Sequence, residues 1–318
     1  MNSDSFSPTP DAPVLVVGAA GVDIVGRLRS EPNAVGPSPA RIRTSFGGAA
    51  RNVAENLGRL GHPVTLLSAI GNDRTGERLL EQAAAAGVDV THVLCNPDCP
   101  TGTYIGVLNQ HGAVEFAVDD MRAIAAITPQ FLKEKADLFK QASVIFLDAN
   151  LSKKTLRTAF SLARKANRPV CADPTAPGLA HRLRPYLGRL QLLSPNEAEA
   201  SVLTERTIDP SRHDQSLAAA KDLVSQGVGI AIISIGEFGL CYATSETSGH
   251  IPAMRTEIVD PTGAGDALIA TLIHALLNEI TLDEAMRLGV TAASMTLRHP
   301  GAVVPDLSLQ KIYDQLEI

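Results

Sequence analysis

The stretch DPTGAGDA, residues 260–267, sets an aspartate on each side of a Thr-Gly-Ala-Gly turn and runs straight into the apolar segment LIATLIHALL. A glycine-rich turn that opens a helix leaves backbone N–H groups unpaired and aims the positive end of the helix dipole forward. Such a turn suits phosphate. Asp266 falls on the first turn of that helix, beside the anion site, where a carboxylate is costly unless it has work to do. The work that fits is to accept a proton from a hydroxyl as that hydroxyl attacks phosphorus, while the glycine turn stabilises the charge that develops on the transferred group. The plainer reading makes Asp266 a helix N-terminal charge and the glycines a turn. Asp260 reads as structural or as a ligand for a monovalent cation.

Three further stretches carry polar groups in usable patterns. In SPNEAEA, residues 194–200, Ser194 as N-cap, Pro195 at the first helical position and Glu197 form a capping box. Asn196 and Glu199, spaced i, i+3, share a helix face, and an amide oxygen and a carboxylate so placed can hold the waters of a Mg²⁺ ion. These two readings use different residues. In FGGAARNVAEN, residues 46–56, Gly47 and Gly48 let a hydroxylated ligand approach the backbone, and Asn52 offers a donor and an acceptor to vicinal hydroxyls. Asp23, just after the first strand, can accept from the same hydroxyls, at the end of a parallel strand where α/β ligand sites form. ISIGEFG, residues 233–239, is a strand with a glycine turn that can pass beside a nucleotide.

Other chemistries lack their residues. There is no Walker-A sequence and no GxGxxG after the first strand, which disfavours P-loop NTPases and NAD-binding folds. HExxH and GxSxG are missing too. Net charge is −6 without a block of like charges, so an extended nucleic-acid or anionic-membrane surface is not expected. The apolar run around 267–277 is too short to span a bilayer. The N-terminus lacks a signal peptide's basic and apolar regions and reads as a disordered tail over residues 1–12. Cys95, Cys99, Cys171 and Cys241 show no paired metal spacing and read as reduced thiols of a cytoplasmic protein.

The elements that must position these groups alternate. VLVVGAA, VTLLSAI, SVIFLDA, PVCADP, LQLLSP and IAIISIG read as strands, nearly continuous in apolar residues as strands covered on both faces are. RNVAENLGRLG, ERLLEQAAAAG, TLRTAFSLARKA and QSLAAAKDLVSQG read as helices between them. The alternation predicts a mostly parallel sheet with helices on both faces. Two segments, about 23–45 and 100–120, break the rhythm. The second has a hairpin pattern around Asn109–Gly112, and the two are expected to pair into a small β lid.

Taken in order, GGAARN, NEAE and DPTGAGDA resemble the signatures of the ribokinase-like (PfkB) carbohydrate and nucleoside kinase family, over roughly residues 13–315. Pro261 stands where that family commonly has Thr. The resemblance implies a three-layer α/β/α ribokinase-like fold with a mostly parallel sheet and a small β lid, and ATP-dependent transfer to a sugar hydroxymethyl group. It implies Asp266 as base and anion-hole amides at Gly263, Ala264 and Gly265. Asp23, Gly47, Gly48 and Asn52 would bind sugar hydroxyls, Asn196 and Glu199 would support Mg²⁺ through water, and Ser234, Gly236 and Gly239 would lie near ATP. Asp260 and Thr262 match the region that supplies K⁺ ligands in many members, and a lid-mediated homodimer is common among them. FGGAARNVAENLGRLG, AVDDM, LDANLS, ADPTAP, SPNEAE and SMTL are most similar to the branch that acts on pseudouridine, which adds Asn150 to the substrate contacts. Pseudouridine keeps an N1–H that uridine lacks, and Asp119 or Asp120 is placed to accept from it. The alternatives are a ribose, fructose or other nucleoside kinase on the same scaffold, and a non-catalytic sugar- or nucleoside-binding protein.

Overall fold

The computed structural model describes residues 12–33, 36–112, 114–209 and 211–316. The tail expected over residues 1–12 therefore lies almost wholly outside the described residues.

The apolar runs form the centre of a nine-stranded sheet. Val14–Val17 lies between Val64–Leu67 and Val144–Asp148, parallel to both, with Val14 opposite Val64 and Val144. Val170–Asp173, Leu192–Leu193 and Ile230–Ser234 continue the parallel order on one side, and Val88–Asp89 closes the other. Leu240–Ala243 and Ser248–Ile251 add an antiparallel edge. Because side chains alternate across a strand, Leu15, Val17, Ile145 and Leu147 enter one apolar core, and Val14, Val16, Val144 and Phe146 enter another. Phe139, Leu156, Phe160, Leu203 and Leu223 cover the first face from helices. Val53, Leu57, Ala83, Leu268, Leu272 and Met286 cover the second. The result is three layers, α/β/α.

Each expected strand is shorter than its run, and two show a physical reason. VTLLSAI divides at Ser68, whose hydroxyl donates to the Gly18 carbonyl at 2.7 Å. Ala69–Gly71 then leaves the main sheet to pair with Leu94–Asn96. Only Leu192 and Leu193 of LQLLSP are ladder residues, because a 3₁₀ turn over Arg184–Arg189 leads directly into the run.

The two segments that break the rhythm make a separate four-stranded sheet, ordered Ala40–Gly47, Gly21–Leu28, Gly102–Leu108, Val114–Asp120. Its register puts Ser45, Asp23, Tyr104 and Asp119 in one cross-strand row. Thr44, Ile24, Ile105 and Val118 form the adjacent row, with side chains on the opposite face.

Candidate active site

The Ala264–Leu277 helix begins at Gly263, whose φ of 78° is a left-handed conformation that glycine adopts without strain. A Cβ there would also collide with the Ala302 carbonyl. The first helical hydrogen bond runs from Ala267 N to Gly263 O, 2.9 Å. The amides of Ala264, Gly265 and Asp266 therefore face forward without intrahelical partners. Where a Gly265 side chain would project there is open space. Asp266 stands beside these amides and accepts from Asn52 Nδ2 at 2.8 Å. Its carboxyl is pushed up to about 7, chiefly by burial and further by the charges of Asp23 and Asp148; the Asn52 hydrogen bond and Arg51 pull the other way. A carboxyl in that range can take a proton near neutral pH and release it again.

Asn52 is delivered by the Ala49–Arg59 helix. Gly48 caps that helix at φ 91°, and a Cβ there would meet Ala19 and Ala20. Gly47 has a different reason: the Asp23 carboxylate occupies the place of its missing Cβ. The double glycine thus lets the helix start press against the loop after the first strand and leaves room for Asp23. Asp23 is buried, and burial first and Asp260 second raise its carboxyl to about 6, against a lowering by Arg51.

Along the same row, the hydroxyl of Tyr104 is shifted upward by burial and then by Asp23 and Asp119. Asp119 is exposed on that face. Asp120 is not. It pairs with Thr103, on the other face, and its two oxygens accept from Arg122 Nε and Nη2 at 2.8 and 2.7 Å. Of the two aspartates read as candidates, only Asp119 shares the face of Asp23; the period of two along a strand turns Asp120 away.

The capping box also differs from expectation. The N-cap is Asn196, whose side chain accepts from Glu199 N at 2.9 Å, while Glu199 Oε2 accepts from Asn196 N at 2.9 Å. Ser194 and Glu197 do not form it. The chain is still extended at 195–196, where Ser234 N donates to the Pro195 carbonyl and Asn196 bridges Ser234, so the helix starts at Glu197. The cap and the expected magnesium pair are the same two residues. Burial raises Glu199 to about 7. The same bridge brings the Ser234 segment beside the Asn196 segment. Gly236 leaves open space, whereas a Cβ at Gly239 would strike the Ile251 carbonyl, so packing alone accounts for Gly239.

Asn150 lies past the end of the Val144–Asp148 strand, and its backbone N–H donates to Asp148 at 3.0 Å. Asp260 Oδ1 accepts from Thr262 N and Oγ1 at 3.0 and 2.7 Å, and Oδ2 from Gly301 N at 3.1 Å, so it fastens the turn ahead of Gly263.

Four contributors escaped the sequence reading. Asp148 and Asp173 end adjacent parallel strands as register partners. Asp148 is fully buried and accepts from Ala19 N at 2.7 Å. Burial, then Glu199 and Asp266, hold Asp173 well above the usual carboxylate range. The third is Tyr104. The fourth is Arg51, buried and donating to Asn52 Oδ1 at 3.0 Å. The available signal was an aspartate closing each of two apolar strands, SVIFLD and PVCAD.

Burial and mutual repulsion hold these acids back from ionising, and a cation placed among them would favour their ionised forms. Among the described residues no three Asp, Glu, His or Cys side chains converge as a direct metal ligand set. A hydrated Mg²⁺ carried by a polyphosphate would fit such a set better than a directly ligated ion, and Glu199 and Asn196 would be the residues to hold its waters.

Comparison with known proteins agrees with this geometry. The sequence profile of the pfkB family carbohydrate kinases matches residues 11–308. The chain is 32% identical over 305 residues to the pseudouridine kinase of Escherichia coli K12, covering 96% of each chain. It is 25% identical to the guanosine-inosine kinase of Exiguobacterium acetylicum, covering 92% of this chain and 97% of that one. The solved structure of Arabidopsis thaliana ribokinase complexed with ribose and ATP superposes with a TM-score of 0.83, at 22% identity, over 97% of this chain and 100% of that one.

Proposed function

The chain belongs to the pfkB family of carbohydrate kinases, and on that premise we propose that it transfers the γ-phosphoryl group of ATP to the 5′-hydroxyl of a nucleoside, pseudouridine foremost. The observation that carries this reading is Asp266, raised to about 7 beside the unpaired amides of a helix N-terminus and bonded to Asn52. The 5′-hydroxyl gives its proton to the Asp266 carboxylate as its oxygen forms the new bond to phosphorus. The bond from the γ-phosphorus to the bridging oxygen breaks, and ADP leaves. The amides of Ala264 and Gly265 face the developing charge. Mg²⁺, when bound with ATP, neutralises phosphate charge, and Glu199 and Asn196 orient its waters. Ser234 and Gly236 border the nucleotide. Asp23, with Gly47, Gly48 and Asn52, holds the ribose hydroxyls, and Asp119 accepts from the pseudouridine N1–H. The small sheet acts as the lid.

Support for the C-nucleoside comes from the 32% identity to a pseudouridine kinase. A ribose, fructose or other nucleoside kinase uses the same base and amides. A non-catalytic binding protein would have no use for a carboxyl held near 7 in front of free amides. K⁺ belongs near the Asp260–Thr262 turn, and exchange of K⁺ for Na⁺ at constant ionic strength tests it. The exposed apolar face of the lid would pack on a second copy of the chain.

The deciding experiment follows ADP release with ATP and Mg²⁺ against pseudouridine, uridine, ribose and fructose in parallel. Preference for pseudouridine is expected. Turnover of a free sugar instead would leave Asp266 as base and remove the nucleoside. Asp266→Asn should lower kcat by about 10²–10⁴-fold; wild-type turnover in that variant would sink the mechanism.

A further inference from the structure

Gly106 lies in the middle of the Gly102–Leu108 strand, and its φ is not in the left-handed region, so no turn demands a glycine there. A glycine inside a strand weakens it and often marks a place where another group comes close. Here that group is Tyr104. A Cβ on Gly106 would lie 3.0 Å from Tyr104 Cε1 and 3.2 Å from the hydroxyl oxygen. The ring therefore leans along its own strand and lies over Gly106, whereas strand side chains ordinarily stand off the sheet. The cross-strand neighbours of Gly106 are Val25 and Ala117, so low side chains flank the ring on either strand.

Tyr104 is half-buried, with one face of the ring on the strand and the other turned outward. Its side of the sheet is the one that Asp23 and Asp119 share, and the charges of both reach its hydroxyl. Asp23 in turn acts on Asp266, so this is the side that looks toward the base. Phe46 and Phe116 pair with Val22 and Val107 and so project from the opposite face. Among the described residues of the sheet, Tyr104 is thus the aromatic surface on the Asp23 side.

We infer that Tyr104 is the platform on which the planar base of the substrate stacks, and that Gly106 is the positioning residue that lays this platform flat. This rests on the nucleoside reading above and sharpens it. A base lying on the ring has its rim beside Asp119, while its ribose extends toward Asp23. Stacking is tolerant of base identity because every base has a π-face. Tyr104 therefore selects nucleosides over free pentoses, and the choice between pseudouridine and uridine is left to Asp119. A larger side chain at position 106 would lift the ring into the space that the base needs.

Tyrosine emission offers a binding readout that does not depend on turnover. The chain has four tyrosines and no Trp. Tyr186 stacks on Phe160, Tyr242 is buried and Tyr313 donates to Glu284, which leaves Tyr104 as the one that a ligand beside Asp23 can cover. Titration of the full chain should show saturable quenching by pseudouridine and by uridine, and none by ribose. In Tyr104→Phe, which keeps a ring but not its emission, that quenching should vanish beyond the ligand's own absorbance. Tyr104→Leu should lower kcat/KM for pseudouridine and uridine alike by about tenfold or more, mostly through KM, the value of one base–aromatic stack. Tyr104→Phe should recover most of the affinity that Tyr104→Leu loses, and Gly106→Val should raise KM for both nucleosides. Unchanged KM in Tyr104→Leu, or equal quenching in wild type and Tyr104→Phe, would overturn the platform and leave the nucleoside reading standing. A wild type that answers to neither nucleoside would overturn both.

Discussion

The two faces of the small sheet are built from the same four strands and share almost nothing in chemistry. One face carries Ser45, Asp23, Tyr104 and Asp119 in a single row, with Asp23 buried and raised to about 6. The other carries Ile42, Ile105, Phe116 and Val118, from 40% to 69% exposed. Burying that many apolar groups would stabilise an association by several kcal/mol at about 25 cal/mol per Å². A strand separates the two sets with a period of two, so adjacent residues such as Asp119 and Asp120 can serve opposite sides. The lesson is that residue spacing in such a sheet matters at the level of single positions.

The contrast can be broken at several points. Asp23→Ala on the polar face should lower kcat/KM by about 10²-fold, mostly through KM, as expected for a charge-assisted bond to a hydroxyl. Gly47→Ala should act in the same direction, because its methyl would displace the Asp23 carboxylate. Unchanged KM in both would remove Asp23 from the substrate. On the apolar face, Ile42→Glu with Phe116→Asp should weaken self-association by at least about tenfold in sedimentation, two apolar contacts being worth more than 1.4 kcal/mol. A sedimentation coefficient identical to that of the wild type would leave the face without a second copy.

A finer cut falls between neighbours. Asp119→Ala should erode the preference for pseudouridine over uridine by about tenfold, the value of a lost acceptor, while Asp120→Ala, freed only from Arg122, should leave it within about twofold. Equal effects would mean that the sheet's alternation does not sort the two residues. The smallest effect concerns pH. Asp266 must be ionised to accept a proton, so activity should rise as pH passes upward through about 7. Asn52 donates to the ionised carboxylate and holds its pKa down. Asn52→Leu should therefore move the rising limb to higher pH by a fraction of a unit, visible in the pH profile of kcat/KM; a shift to lower pH would contradict the hydrogen bond's role.

Much of this architecture could be read before folding was considered. Continuous apolar runs such as VIFL mark strands covered on both sides, and the glycine turn with Asp266 announces an anion site. Other features depend on tertiary contact. The pairing of 21–47 with 102–120 joins segments far apart in sequence. The capping box sits two residues later than its local pattern implies, because the Ser234 backbone holds Pro195 and Asn196 extended. Asp148 and Asp173 look like ordinary strand ends until register sets them side by side beneath Asp266. Propensity and period describe one element at a time, whereas these charges acquire their properties from one another.

That crowding of acids has a calorimetric consequence. With Asp266 and Glu199 held near 7 and Asp173 well above its usual range, the unliganded cleft stores protons at neutral pH. A cation entering among them favours the ionised forms, so nucleotide uptake in the presence of magnesium should expel protons to solvent. The measured heat of binding would then vary with the ionisation enthalpy of the buffer, and the slope of that variation would count the protons released.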